Sequence, residues 1–303
     1  MDIAIKPLNG LGNRFRFLCS SLSLSIFFGE PLKIFWGKSS GFDGASLDQL
    51  IDLNFLKTSF NIKIINEEQW VELRSKSTRL DEKINRLKEP DLGRKNSVKK
   101  SERRNRSENI KSFLSKKWNS ITIESSENLI SALSPEIKPF FHNAWNWYML
   151  SCLNLGFSSG VKERAAECEG LIGNTFGMHL RRGDSINSDF NFEDKKKYSL
   201  TLEPYIRKAN ELLRENSYDN FFLSTDCELA QNRMAEIFGD KVFFRDKPFV
   251  KSEWKQIKHG QLDARIDQYL LSKTKFLVYP QRSTFSNFAR LEGSLEGSPI
   301  ICD

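Results

Sequence analysis

Four stretches of the chain carry residue types whose spacing suits chemistry. Gly177–Asp184, GMHLRRGD, reads as an apolar strand that ends in His179, Arg181 and Arg182 and turns at Gly183. Two neighbouring guanidinium groups at a strand's carboxyl end match phosphate oxygens in geometry and keep their charge at any physiological pH. The same pair is equally compatible with an ordinary surface turn. Arg282–Arg290, RSTFSNFAR, follows a strand and opens a helix. Ser283 or Thr284 caps that helix, and the first-turn N–H groups, around Phe285 and Ser286, then either face solvent or meet an anion. Asp267, in ARIDQYLLS, lies on the helix that leads into that strand. Its carboxylate is either solvated or receives the two adjacent donors that guanine presents on one edge. Asp226 closes FFLSTD at another strand end, where it meets a sugar hydroxyl or caps the next helix. In NGLGN, Asn9–Asn13, Gly10 and Gly12 permit close backbone approach to a ligand.

What is missing constrains the chemistry further. The sequence contains no DxD pair, no GxxxxGK[ST] loop and no HExxH. Its three histidines stand at no metal-ligand spacing, so no metal site is expected and any bound phosphate must be neutralised by arginines and helix N–H groups. The five cysteines are scattered without a CxxC pair, which suits reduced core thiols better than disulfides or zinc. No targeting segment is visible, and the apolar stretch Phe17–Phe28 is interrupted by serines and too short to cross a bilayer. The expected location is the cytoplasm, at most peripheral to a membrane.

Positioning these residues requires alternating elements. Strands are expected at 2–8, 32–36, 62–65, 174–181, 220–224, 242–244, 275–279 and 299–302. Helices are expected at 14–28, 46–56, 136–156, 202–216, 227–238, 261–273 and from Ser283 onward. Strand–helix units in series predict an α/β fold with parallel, doubly wound sheets, whose ligands sit outside the carboxyl ends of the strands. The length of 303 residues predicts two domains, divided as 1–157 and 158–303.

Between Arg74 and Lys117 there are 16 Lys/Arg and 6 Asp/Glu, a net of +10, whereas the whole chain carries +7. The basic character therefore belongs to an insertion of about 74–117 in the first domain. Such a segment could be a solvated loop, a dock on an anionic membrane or acidic glycan, or a nucleic-acid contact. The absence of any aromatic residue from Val71 to Ile110 argues against base stacking there.

Taken in order, these stretches resemble the GT-B fucosyltransferase superfamily: nodulation-type and core α1,6-enzymes, protein O-fucosyltransferases and α1,2-relatives. GLGNRFRFLCSSLSLSIFFGEPLKIFW looks like their opening glycine turn, helix and second strand. GMHLRRGD looks like their H-x-R-R motif, FFLSTD like their second motif, and DQYLLSKTKFLVYPQRSTFS like their third, with Asp267 sixteen residues before Ser283. The likeness spans roughly 3–36 and 170–290. It implies two Rossmann-like domains facing a cleft, and an inverting, metal-independent transfer of fucose from GDP-fucose to a glycan hydroxyl without a cofactor. A relative using another GDP-sugar is the alternative. The resemblance assigns Arg181 to the β-phosphate, His179 and Asp267 to guanosine, and Ser283 with Thr284, Phe285 and Ser286 to phosphate. Arg182, Asp226, Gly10 and Gly12 complete the donor set, with Asn13 near the acceptor or the pyrophosphate. The base that deprotonates the acceptor would be Asp189, ten residues past His179, with Asp184 as second candidate. Where relatives often carry a lysine or an acid after the two arginines, this chain has Gly183-Asp184.

Overall fold

A computed structural model of the chain describes residues 2–8, 10–37, 45–79, 120–125, 149–181, 202–215, 217–249, 260–281 and 283–300. They fall into two compact units. One comprises Met1–Ser39 and Asp52–Leu155, the other Ser40–Ile51 and Gly156–Asp303.

In the first unit, β1 (Asp2–Pro7) leads into α1 (Leu11–Phe28) and β2 (Leu32–Ile34). After α2 (Leu47–Leu50), which counts with the second unit, come α3 (Leu53–Ser59), β3 (Ile62–Ile64), α4 (Glu67–Lys76), β4 (Thr78–Arg79) and β5 (Ser120–Ser125). The sheet order is β3-β2-β1-β5-β4, with every pairing parallel. α1 begins three residues earlier than the expected 14, because Gly10 adopts the extended N-cap conformation and Gly12 and Asn13 enter the first turn. The apolar side chains Phe15, Phe17, Leu18, Cys19 and Leu22 are buried. The serines among them are buried too, and Ser20, Ser21 and Ser23 donate their hydroxyls to the carbonyls of Phe17, Phe17 and Cys19. Bonding back onto its own helix lets a polar side chain occupy an apolar interface. A reciprocal cap between Asn66 and Gln69 starts α4, and α4 seats Trp70 against Phe35, with ring centroids 5.7 Å apart.

Regular structure continues into the stretch read from sequence as a basic insertion. Arg74 and Lys76 lie in α4, where Arg74 pairs with Glu124 of β5 at 3.1 Å, and Arg79 lies in β4. Residues 74–79, at the edge of that stretch, thus carry a helix end and a strand. The remainder of the expected insertion, 80–117, lies outside the described residues. Of the helix expected at 136–156, residues 149–156 are described; 149–154 are helical, and the helix ends before Leu155.

The second unit adds α5 (Ser159–Glu169), β6 (Thr175–Leu180), α6 (Glu203–Arg214), β7 (Asn220–Thr225), α7 (Glu228–Phe238), β8 (Val242–Phe243), α8 (Gly260–Lys273), β9 (Phe276–Pro280), α9 (Thr284–Gly293) and β10 (Glu296–Ile300). Its sheet order is β10-β9-β6-β7-β8, again all parallel. The chain starts at the central strand β6, winds outward through β7 and β8, then returns to the other side of β6 to add β9 and β10. The direction of winding thus reverses between β6 and β9, the kind of switch point at which doubly wound sheets bind nucleotides. All six residues of β6 are buried, as befits a central parallel strand covered on both faces. Gly177 belongs to that packing: a Cβ there would stand 2.9 Å from Leu271 and Thr274, so glycine lets α8 and the turn after it lie close against the strand.

Arg265 of α8 is fully buried and ties the unit together. It donates to both carboxylate oxygens of Glu292 at 2.6 and 2.8 Å, to Gln268, and to the carbonyls of Leu50 and Gly156. Its guanidinium also lies 3.9 Å over the Phe157 ring. Leu50, Gly156 and Glu292 are distant in sequence yet belong to the same unit, and this one side chain joins them.

Candidate functional site

The winding reversal places the carboxyl ends of β6 and β9 side by side, and the strongest sequence candidates among the described residues meet around them. His179 is the fifth residue of β6 and is paired in register with Ser224 of β7. Its Nδ1 stands 2.6 Å from the Ser286 hydroxyl and 3.4 Å from that of Ser283. Ser283 is the N-cap of α9, accepting from the Ser286 backbone N–H at 3.2 Å and from the Ser286 hydroxyl at 3.0 Å. The Phe285 ring covers the imidazole at a centroid distance of 4.7 Å, and Gln268 of α8 donates to the Phe285 carbonyl at 2.8 Å. The helix start is thus fixed from two sides, by the strand through His179 and by α8 through Gln268.

The electrostatics of this cluster follow from burial. His179 is pushed down to about 3, first by desolvation and then by the positive charges of Arg181 and Lys247. The ring is therefore neutral, with one donor and one acceptor whichever tautomer holds. Arg181, the residue after β6, is exposed at the strand's mouth. Thr284 occupies the first position of α9.

Asp267 sits behind this mouth, 2 % exposed. Its Oδ1 accepts from Arg245 Nε at 3.1 Å; its Oδ2 accepts from Ser224 Oγ at 2.9 Å and from Lys247 Nζ. Burial alone would raise its pKa, but Lys247, Arg245 and the hydrogen bonds from Lys247 and Ser224 together hold it below the usual carboxylate value. Arg245 also binds Asp263, one turn earlier on α8, through Oδ1 at 2.9 Å and the carbonyl at 3.2 Å. The expectation of a carboxylate waiting for a ligand is thus modified: Asp267 already carries an ion-pair network. Asp226 is exposed one residue beyond β7, and the N-cap position of α7 belongs to Cys227.

In the first unit, Gly10, Gly12 and Asn13 form the start of α1 after β1. Beside them sits a residue the sequence reading passed over. Arg14 is 1 % exposed, donates to the Gly37 carbonyl at 3.2 Å and stacks 5.2 Å from Trp36. Burial lowers its pKa to about 10. Arg182, Asp184 and Asp189 lie outside the described residues, so the proposed base has no geometry here. Arg245 and Lys247 escape a sequence reading because they follow a two-residue strand and belong to no motif; their one signal is a basic pair, RDK, at a strand's carboxyl end. Among the described residues, no group of three or more His, Cys, Asp or Glu is placed to hold a metal ion, and none of Cys19, Cys152, Cys168 and Cys227 is disulfide-bonded.

No protein-family model matches the chain, and no curated protein matches it in sequence. Solved structures do match in fold. NodZ α1,6-fucosyltransferase soaked with GDP-fucose is 17 % identical, with 96 % of this chain and 91 % of that chain covered and a TM-score of 0.56. A single-residue mutant of Arabidopsis thaliana FUT1 in complex with GDP is 13 % identical, with 98 % and 69 % covered and a TM-score of 0.60. POFUT1 in complex with GDP-fucose is 12 % identical, with 98 % and 96 % covered and a TM-score of 0.60. This chain has the fold of the GT-B fucosyltransferases, two all-parallel sheets clothed in helices.

Proposed function

We propose that the protein is a glycosyltransferase that moves fucose from GDP-fucose to a glycan hydroxyl with inversion at the anomeric carbon. The observation that carries this reading is the His179–Ser283–Ser286 cluster, which fixes a helix start beside the winding reversal of the second sheet, with Arg181 at its mouth. Two of the structural neighbours hold GDP-fucose and one holds GDP. We assign the donor to the second domain and the acceptor to the first.

In such a transfer the acceptor oxygen attacks the sugar carbon from the face opposite GDP. The carbon–oxygen bond to the β-phosphate breaks, and negative charge collects on the departing diphosphate. Arg181 and the first-turn N–H groups of α9 are positive groups fixed before the reaction, the arrangement that lowers such a barrier most. Arg182 reinforces them, and Thr284 and Phe285 offer backbone N–H groups. A neutral His179 adds hydrogen bonding to guanosine without competing for the diphosphate's charge. We assign Asp226 to a ribose or sugar hydroxyl, and Gly10, Gly12 and Asn13 to the pyrophosphate or the acceptor. Asp189 takes the acceptor's proton. Guanidinium and helix N–H groups do the work of a divalent ion, so the reaction runs without metal.

Donor specificity is the direct test. GDP should raise the melting temperature more than UDP or ADP at equal concentration, with EDTA making no difference, and GDP-fucose should be hydrolysed or transferred faster than GDP-mannose. An equal response to all three nucleotides would remove the guanine assignment of Asp267, and preference for GDP-mannose would replace the sugar while keeping the site.

A further inference from the structure

The Asp267 carboxylate is crowded, and the crowding identifies a residue with a role of its own. A carboxylate offers about four acceptor directions, two on each oxygen. At Asp267, Arg245 Nε takes one direction of Oδ1, and Ser224 Oγ and Lys247 Nζ take both directions of Oδ2. A base edge with two adjacent donors needs one direction on each oxygen, so Oδ2 must lose a partner before guanine can seat.

The two partners of Oδ2 are not equally free to leave. Ser224 is buried within β7, in register with His179, and its strand is a neighbour of the central strand of the sheet. Arg245, on Oδ1, is doubly anchored to Asp263 besides. Lys247 lies on the irregular stretch 244–249, outside any helix or strand, and also stands over the face of Phe249, 5.8 Å from the ring centroid. Its ammonium ends a flexible stem and is strongly hydrated when released, so water compensates its departure in a way no water can compensate a buried serine. Arg245 remains to balance the carboxylate's charge after Lys247 has gone.

We infer that Lys247 is an internal competitor for guanine at Asp267, a lysine whose ammonium occupies the place of the base's donor edge and whose displacement sets the affinity for guanosine. The inference rests on the donor reading above, in which Asp267 receives guanine. It makes Lys247 a specificity-determining residue. Only a ligand able to give Asp267 two hydrogen bonds can replace a charge-assisted one, and a pyrimidine or adenine edge lacks that donor pair.

Guanosine is the informative probe, since it has no phosphate to attract the released ammonium. Calorimetric titration of the full chain with guanosine should show Lys247→Met, which keeps the stem and loses the charge, binding about 10-fold tighter than the parent. Loss of one charge-assisted competitor corresponds to that range. Lys247→Arg should bind like the parent or more weakly, and Lys247→Gln serves if the Met variant does not fold. Unchanged or weaker guanosine binding by the folded neutral variant, in a protein that prefers guanosine to uridine, overturns the competition and leaves the donor reading standing. A parent protein with no preference for guanosine over uridine overturns both.

Discussion

α1 and α9 each follow a parallel strand, and each is marked by serines, yet the serines do different work. In α1, Ser20, Ser21 and Ser23 stand more than two turns into the helix and find the carbonyls of Phe17 and Cys19 one turn back. In α9, Ser283 and Ser286 stand at the very start, where no preceding turn offers carbonyls and the backbone N–H groups lack intrahelical partners. Their hydroxyls turn instead to an N–H and across to His179 on β6. The same residue type bonds back onto its own helix in one case and across to a neighbouring strand in the other, and its distance from the helix start decides which.

The contrast can be broken most forcefully at the base of the second unit. Arg265→Met should leave Glu292 buried without its bidentate partner and cost about 3–5 kcal/mol, read as a large fall in the urea midpoint. A change below about 1 kcal/mol would mean that Arg265 does not organise the contacts at Leu50, Gly156 and Glu292.

At the mouth of the site, Arg181→Ala should reduce transfer by about 100-fold or more, the loss expected of the leaving-group stabilisation proposed for this exposed residue. A variant that keeps its turnover would refute that role.

His179 supplies a pH dependence. Its folded pKa, about 3, lies below the ordinary value of 6.5, so below 6.5 the unfolded chain binds a proton that the folded chain refuses. Stability should therefore fall as pH drops from 6.5 towards 4.5, by no more than about 1.4 kcal/mol per unit. Urea titrations at several pH values should show that slope shrinking in His179→Asn; an identical slope in the variant would place its origin elsewhere.

The finest comparison pairs two serines. Ser286→Ala removes the 2.6 Å partner of His179 and should weaken GDP binding by about 3–10-fold. Ser21→Ala should leave GDP binding untouched and shift stability by no more than about 1 kcal/mol. Equal effects on GDP would erase the distinction between the two helices.

Much of this was readable in the chain. The alternation of apolar strands and amphipathic helices predicts parallel sheets, and the motifs at His179 and Ser283 lie at the two strand ends that the winding brings together. Strand and helix limits shift by a few residues: the last strand is 296–300 instead of 299–302, and the expected helix 46–56 is two, α2 and α3, parted at Ile51 and Asp52. Arg14 and Arg265 were not readable as buried, because a guanidinium enters a core only where particular carbonyls and carboxylates surround it. Those partners lie 23 residues away for Arg14, and 27, 109 and 215 residues away for Arg265.

By itself, then, the order of residues determined the repeated strand–helix units and the kinds of groups that end them, since side-chain period and strand ends are local properties. Which groups touch was decided only in three dimensions. Asp267 looks in sequence like a lone carboxylate on a helix; the loop after β8 folds back to lay Arg245 and Lys247 upon it, because a buried carboxylate is costly without a partner.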